Sequence, residues 1–322
     1  MSPTPLAAAH QRQQERAAAA AARAAGRSWA RLNPDDIRGS WRVQLAAVVA
    51  AVSGAQLAVA QSSEPWLTQL LGAEEAPPDG EQLDPRAMAG ITVDGRPLTV
   101  PLMGPMLTVL SALGQGATMV RAFAVGRALL DLTVRTLVAD TGRAADTVGM
   151  IARPAVTSYI RVVEGGACDR CLILAGREYG ISTGFARHPR CQCGMEPRTR
   201  THRPAAQDPR TLFDRMTPEQ QAKRFGRDAA DAIRQGADIA QVVNARRGMT
   251  AAGTTPEGTT RRGGYFRQEF ERLKQAGVVP AGTTSRGYRL PTQRLTPAEI
   301  YRRATTRQQA VSLLRQYGYL TA

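Results

Sequence analysis

All four cysteines of this 322-residue chain fall between positions 168 and 193, as Cys168-Asp-Arg-Cys171 and His188-Pro-Arg-Cys191-Gln-Cys193, with one of only three histidines. Residues of this kind in a C-x2-C…H-x2-C-x-C arrangement read first as a metal site. Zinc takes four thiolate or imidazole ligands in a tetrahedron, and two cysteines two residues apart reach one ion from a single tight turn. The sixteen residues from Leu172 to Arg187 match the interval between ligand pairs in small zinc modules. Five donors compete for four places. The favoured set is Cys168, Cys171, Cys191 and Cys193, with His188 as an alternative ligand or as a group that orients the ligands from behind. Three other readings stay open: two disulfides formed after release from a cell, a Cys/His nucleophile, and plain reduced thiols in a core. The opening MSPTPLAAAH has no basic-then-apolar leader, so a reducing compartment, and metal rather than disulfide, is the expectation.

The elements that must position these residues are mostly helical. Aromatic residues make up 5% of the chain and its apolar content is largely Ala, Val and Leu, which suits helices packed through small side chains. The spacing predicts an α+β, predominantly α-helical protein with a helical N-terminal region, a small Cys/His-stapled α+β module and a basic helical C-terminal region. Residues 1–32 form an Ala/Arg-rich arm, helical or disordered, whose stability would come from a partner. In the helical region 33–156, Asn33-Pro34 reads as a helix start and Ile37 to Leu71 as a long helix, with a break near Glu64-Pro65. No window is a convincing membrane span: Leu45 to Ala60 is short and Ala-rich. Asp94-Gly95 predicts a hairpin over 91–100, and two helices separated near Gly114–Gly116 follow through Met150. Thr157 to Val163 is the strand that leads into the module at 157–200, and Glu164-Gly165-Gly166 turns the chain toward Cys168. In the C-terminal region 201–322, Thr217-Pro218-Glu219-Gln220 predicts a capped helix to about Gln235, Gly236 a stop, and Ile239 to Arg246 a second helix. A Gly/Thr-rich loop covers 248–264, and Thr296-Pro297-Ala298-Glu299 caps a last helical stretch ending at Gly318.

Charge is unevenly spread. Residues 1–186 hold 17 Lys+Arg and 16 Asp+Glu, whereas residues 187–322 hold 25 and 11, a net of +14 out of the chain's +15. A field of that size favours polyanions, so Arg246, Arg247, Arg261 and Arg262 are candidate nucleic-acid contacts; a solvated basic face or an acidic protein partner is the alternative. Arginine outnumbers lysine 40 to 2, as codon bias in a GC-rich genome produces. No G-x-S-x-G and no H-E-x-x-H is present.

The run YIRVVEGGACDRCLILAGREYGISTGFARHPRCQC, residues 159–193, resembles the C-x2-C…HP-x-C-x-C core of the phage Mu F-like head-morphogenesis family, in particular minor capsid proteins of tailed phages of high-GC Gram-positive hosts. DGRPL upstream, GADIAQVVNARRGM and EGTTRRGG at 236–264, and RLTPAEIY with LLRQYGYL at the end are similar to the same group. The resemblance implies a structural, non-enzymatic protein of the virion, assembled in the host cytoplasm inside the head near the portal vertex. Its implied partners are the portal and major capsid proteins and the packaged double-stranded DNA, with no membrane and no small-molecule substrate. A capsid maturation protease and a DNA-binding regulator using residues 217–247 are the alternatives.

Overall fold

Alanine dominates the first helix, α1 (Pro5–Trp29), which Thr4 caps by accepting from the Ala7 amide, with Pro5 at the first helical position. A computed structural model describes residues 4–72, 82–163, 167–181, 183–184, 188, 191, 193–247, 254–255, 264–280, 282–286, 288, 290 and 294–320. Contacts divide the chain into one unit of residues 1–167 and 175–207 and another of 168–174 and 208–322. The protein is about 63% helical with a small three-stranded sheet, a predominantly helical α+β fold as its composition implies.

In the first unit α1 is no solvated arm. Ala18, Ala21, Ala22 and Ala25, spaced three and four apart, are buried with Trp29. They pack on α2 (Ile37–Gln61) and α5 (Met119–Ile151), so the partner that stabilises the Ala-rich helix is its own chain. The start of α2 lies later than Asn33-Pro34 suggests. The Asn33 side chain accepts from the Asp35 amide in a turn, and Asp36 then caps the helix by accepting from Gly39. The long helical run breaks at Ser62, and α3 (Ser63–Leu71) follows. Ile37–Leu71 is the one run among the described residues long and apolar enough by composition to cross a membrane, yet it buries Trp41, Val48, Val52 and Val59 in the helical core.

The expected hairpin over 91–100 reduces to a tight turn. Thr92 N–H donates to Arg96 O and Gly95 takes a positive φ of 81°, but pairing stops at the single bridge Ile91–Pro97. Helix α4 (Thr99–Gly114) takes the residues a second strand would need. It carries Pro105 inside and packs on α5. Beyond α5, strands β1 (Ser158–Val162), β2 (Glu178–Gly180) and β3 (Gly194–Arg198) form an antiparallel sheet in the order β2-β1-β3. Residues 164–166 lie outside the described residues.

The second unit begins with a single turn, α6 (Asp169–Leu172), and continues with α7 (Pro209–Asp214) and α8 (Pro218–Phe225). Thr217 and Gln220 form the reciprocal capping box their spacing predicts. The helix does not run on to Gln235: Gly226, at φ 84°, ends α8 and starts α9 (Arg227–Arg234), and Gly236 separates it from α10 (Ile239–Arg247). Two-residue strands β4 (Thr254–Thr255) and β5 (Arg294–Leu295) pair around α11 (Gly264–Gln275), a helix that lacks a capping signal in the sequence. Thr296 caps α12 (Pro297–Arg303), and Thr306 restarts the chain as α13 (Arg307–Gln316). Phe213, Phe225, Ile233, Val242, Ile300, Leu314 and Tyr319 form its core.

Candidate metal centre

The two halves of the cysteine motif fold into turns of the same kind. In the first, the Cys171 amide donates to Cys168 O at 3.1 Å and Leu172 to the same oxygen at 3.0 Å, closing α6 so that residues i and i+3 share a side. In the second, the Cys191 amide donates to His188 O at 3.0 Å. Cys171, Cys191 and Cys193 are 1–3% exposed, whereas Cys168 and His188 are half-buried.

Donor atoms of Cys168, Cys171 and His188 lie within 4.8 Å of one another, and so do those of Cys171, Cys191 and Cys193. All five residues singled out by the spacing are thus brought together, and Cys171 belongs to both triplets. The four cysteines stand as thiols rather than as disulfides. Sulfurs around one zinc at about 2.3 Å sit about 3.8 Å apart, a spacing inside the limit observed for Cys171, Cys191 and Cys193. Thiols and an imidazole without carboxylates are a soft donor set, which excludes calcium or magnesium as the natural occupant. The cluster is able to hold a metal ion.

Two buried arginines, invisible to a motif search, shape this region. Arg143 of α5, 5% exposed, donates through Nη1 to the carbonyls of Cys191 (3.0 Å) and Cys193 (3.3 Å) and through Nη2 to Asp140 (2.6 Å). It fixes the C-x-C backbone and leaves its sulfurs to turn elsewhere. Arg161 of β1, 1% exposed, places Nη2 3.6 Å from Cys191 Sγ, where a guanidinium stabilises a thiolate. The one available signal was an arginine at the centre of the otherwise apolar run YIRVV.

A second polar cluster also escaped the sequence. Asp146 of α5, 1% exposed, accepts from Ser63 Oγ (2.6 Å) and Gln14 Nε2 (3.0 Å), and its Oδ1 lies 2.8 Å from His10 Nε2. The His10 ring stacks on Trp66 with centroids 4.1 Å apart. His202 approaches the buried Glu196 at 3.4 Å.

Of the candidate nucleic-acid residues, Arg246 is the one whose side chain is described. Arg246 Nη1 donates to Phe225 O at 2.7 Å, satisfying the C-terminal end of α8, and lies 3.8 Å from Asp169. Arg247 closes α10, while Arg261 and Arg262 lie outside the described residues. Comparisons with known proteins return nothing: no family model, no curated protein and no solved structure matches this chain.

Proposed function

We propose that the chain is a structural protein of a tailed-phage head, a minor capsid or head-morphogenesis protein that acts in procapsid assembly near the portal, with a single zinc as a staple in its Cys/His cluster. The observation that carries this reading is the burial of Cys171, Cys191 and Cys193, with Arg143 and Arg161 on their backbone and sulfur. Sulfurs so enclosed suit a staple, while a nucleophile must meet substrate. The order of motifs along residues 94–320 supports the link to the phage family. Cys168, Cys171, Cys191 and Cys193 would hold the ion, with His188 in exchange for one of them. The ion would supply cross-linking energy to a segment with a three-stranded sheet and little core.

A protease reading gains nothing from the other histidines. Ser63 and His10 both bond the same oxygen of Asp146, so the serine hydroxyl donates to the acid and not to a histidine base.

The test is metal content by mass spectrometry on reduced protein, beside co-expression with phage portal and major capsid proteins. About one zinc per chain is expected, with thiols released on chelation and aberrant heads when Cys171→Ser replaces the wild type. Normal heads from a metal-free Cys171→Ser protein would overturn the assembly role, and four freely titrating thiols without metal would overturn the staple.

A further inference from the structure

All four arginines of α1 share one face. At about 100° per residue, Arg12, Arg16, Arg23 and Arg27 fall within an arc of about 60° and span about 22 Å of helix. All four are exposed, and Glu15 is the one acid among the 25 residues of α1. The opposite side is held fast, because Ala18, Ala21, Ala22 and Ala25 are buried in the helical core with α2 and α5. The row of cations therefore sits on a rigid rod.

This arrangement works against the helix that carries it. Like charges four residues apart destabilise a helix, whereas an acid and a base at that spacing stabilise one. Arg12 and Arg16 form such a like-charged pair, and so do Arg23 and Arg27. In the same unit Arg135, Arg143 and Arg153 each pair with an acid. Among the described residues no carboxylate or carbonyl takes a bond from Arg16, Arg23 or Arg27. A glycine adds a further cation. Gly26 stands in an Ala-rich stretch where alanine would favour the helix, but a Cβ there would collide with the Arg127 guanidinium of α5. Gly26 thus leaves room for Arg127 to lie against α1 at the level of Arg23 and Arg27, and Arg127 also lacks an acidic partner among the described residues.

We infer that this α1 row grips the phosphate backbone of a DNA duplex, lying across the major groove with Arg12 and Arg16 on one strand and Arg23 and Arg27 on the other. The midpoints of the two pairs are eleven residues apart, about 16 Å along the helix, and the groove to be bridged is about 12 Å wide. Ala19 and Ala20 occupy the middle of the row, so no bulky side chain holds the helix off the strands. A duplex is a stiff line of charge, one per about 1.7 Å of axis, which a straight row of guanidiniums complements. An anionic membrane fits less well, because helices that hold to bilayers carry large apolar residues beside their cations, and the exposed neighbours here are Gln13 and Ala20. The contact positions the protein on DNA and reads no sequence. It stands on the charge pattern of α1 and does not require the chain to be a head protein.

The experiment titrates a fluorescent duplex with the full chain at several salt concentrations, comparing wild type with two triple variants of equal net charge. One is Arg16→Gln/Arg23→Gln/Arg27→Gln. The other, Arg267→Gln/Arg307→Gln/Arg315→Gln, removes three exposed arginines from the second unit. Neither set touches a core, so both variants should melt with the wild type. Each phosphate contact contributes about 0.9 to the slope of log affinity against log salt, so the α1 variant should lower that slope by about 2.7. Its affinity near about 0.1 M salt should fall on the order of 100-fold, whereas the second variant should change the slope by less than about 1. Lysine at the same three α1 positions should keep most of the binding, because a phosphate contact needs the charge. Equal losses in the two glutamine variants would overturn the inference, as would a wild-type chain that leaves the duplex free. Binding to phosphatidylglycerol vesicles through α1, without binding to the duplex, would assign the row to a lipid surface and overturn it equally. Because the probe is bare duplex, such a failure leaves the zinc and head-assembly tests to be decided on their own results.

Discussion

Asp146 shows how much one buried side chain organises. Its carboxylate on α5 meets three groups from two other helices: Ser63 at the start of α3, and Gln14 and His10 on α1. Removing it leaves the Ser63 hydroxyl without its acceptor and the His10–Gln14 pair without the carboxylate that both face, with all three side chains buried. Each orphaned donor costs about 1–3 kcal/mol, so Asp146→Ala should destabilise the first unit by about 3 kcal/mol or more. Ser63→Ala should cost less than half of that, since the carboxylate keeps two donors. Urea midpoints of the two variants check the ranking; equal costs would mean that the network does not centre on Asp146. None of this was legible in the sequence, because a histidine in an Ala-rich stretch and an aspartate 136 positions away have no local signature. The cysteine site is the opposite case. Its paired i, i+3 turns follow from C-x2-C and H-x2-C alone, and only Arg143 and Arg161, brought in by long-range packing, were missing.

At the scale of elements, legibility followed range. The Thr217–Gln220 capping box and the Thr296 cap are contacts three residues apart, and both formed where their residues predict. Strand β1 was visible in its β-branched run, whereas β2 and β3 owe their existence to pairing with it and carry no pattern of their own. The helix expected to run from Thr217 to about Gln235 divides at Gly226, whose positive φ makes it the boundary of two. The cap of α12 carries a pH dependence. Glu299, at the third position of that helix, takes hydrogen bonds from Arg302 and then Arg303, which hold its carboxyl near 2 instead of the ordinary 4.5. A carboxylate with a depressed folded value stabilises the fold above about pH 4.5, and that contribution is lost as pH falls toward 2. Both guanidiniums are more than half exposed, so water and salt screen the effect. Glu299→Gln should therefore be less stable than wild type at pH 7, with the gap narrowing below about pH 4.5 and closing near pH 2. Chemical denaturation at the two pH values measures it, and a gap that stays constant would show that the ion pairs do not set the titration.

Across the whole molecule the governing feature is the separation of charge from the apolar helices. The half that ends at residue 186 is nearly neutral and holds the helical bundle, while residues 187–322 carry +14. Much of that charge is committed locally: Arg234 pairs with Asp231, Arg272 with Glu269, and Arg246 with the end of α8. Arg294 is buried against Tyr319, 3.6 Å from the ring centroid, and donates to the carbonyls of Tyr317 and Gly318. Guanidiniums spent on carbonyls and rings keep their charge, so the field remains although these groups are not available to read bases. The α10 helix turns Val242, Val243 and Ala245 inward, which leaves few side chains to enter a groove. The chain should therefore bind double-stranded DNA through its field alone, without sequence preference. Affinity should fall by about tenfold or more as salt rises from about 50 to 200 mM, because each neutralised phosphate releases a counterion. Titrating two unrelated duplexes across that range tests both parts. Equal affinities with a steep salt slope fit a protein that lies against packaged genome, a preference for one duplex would point to a regulator, and no binding at low salt would assign the basic half to an acidic protein surface.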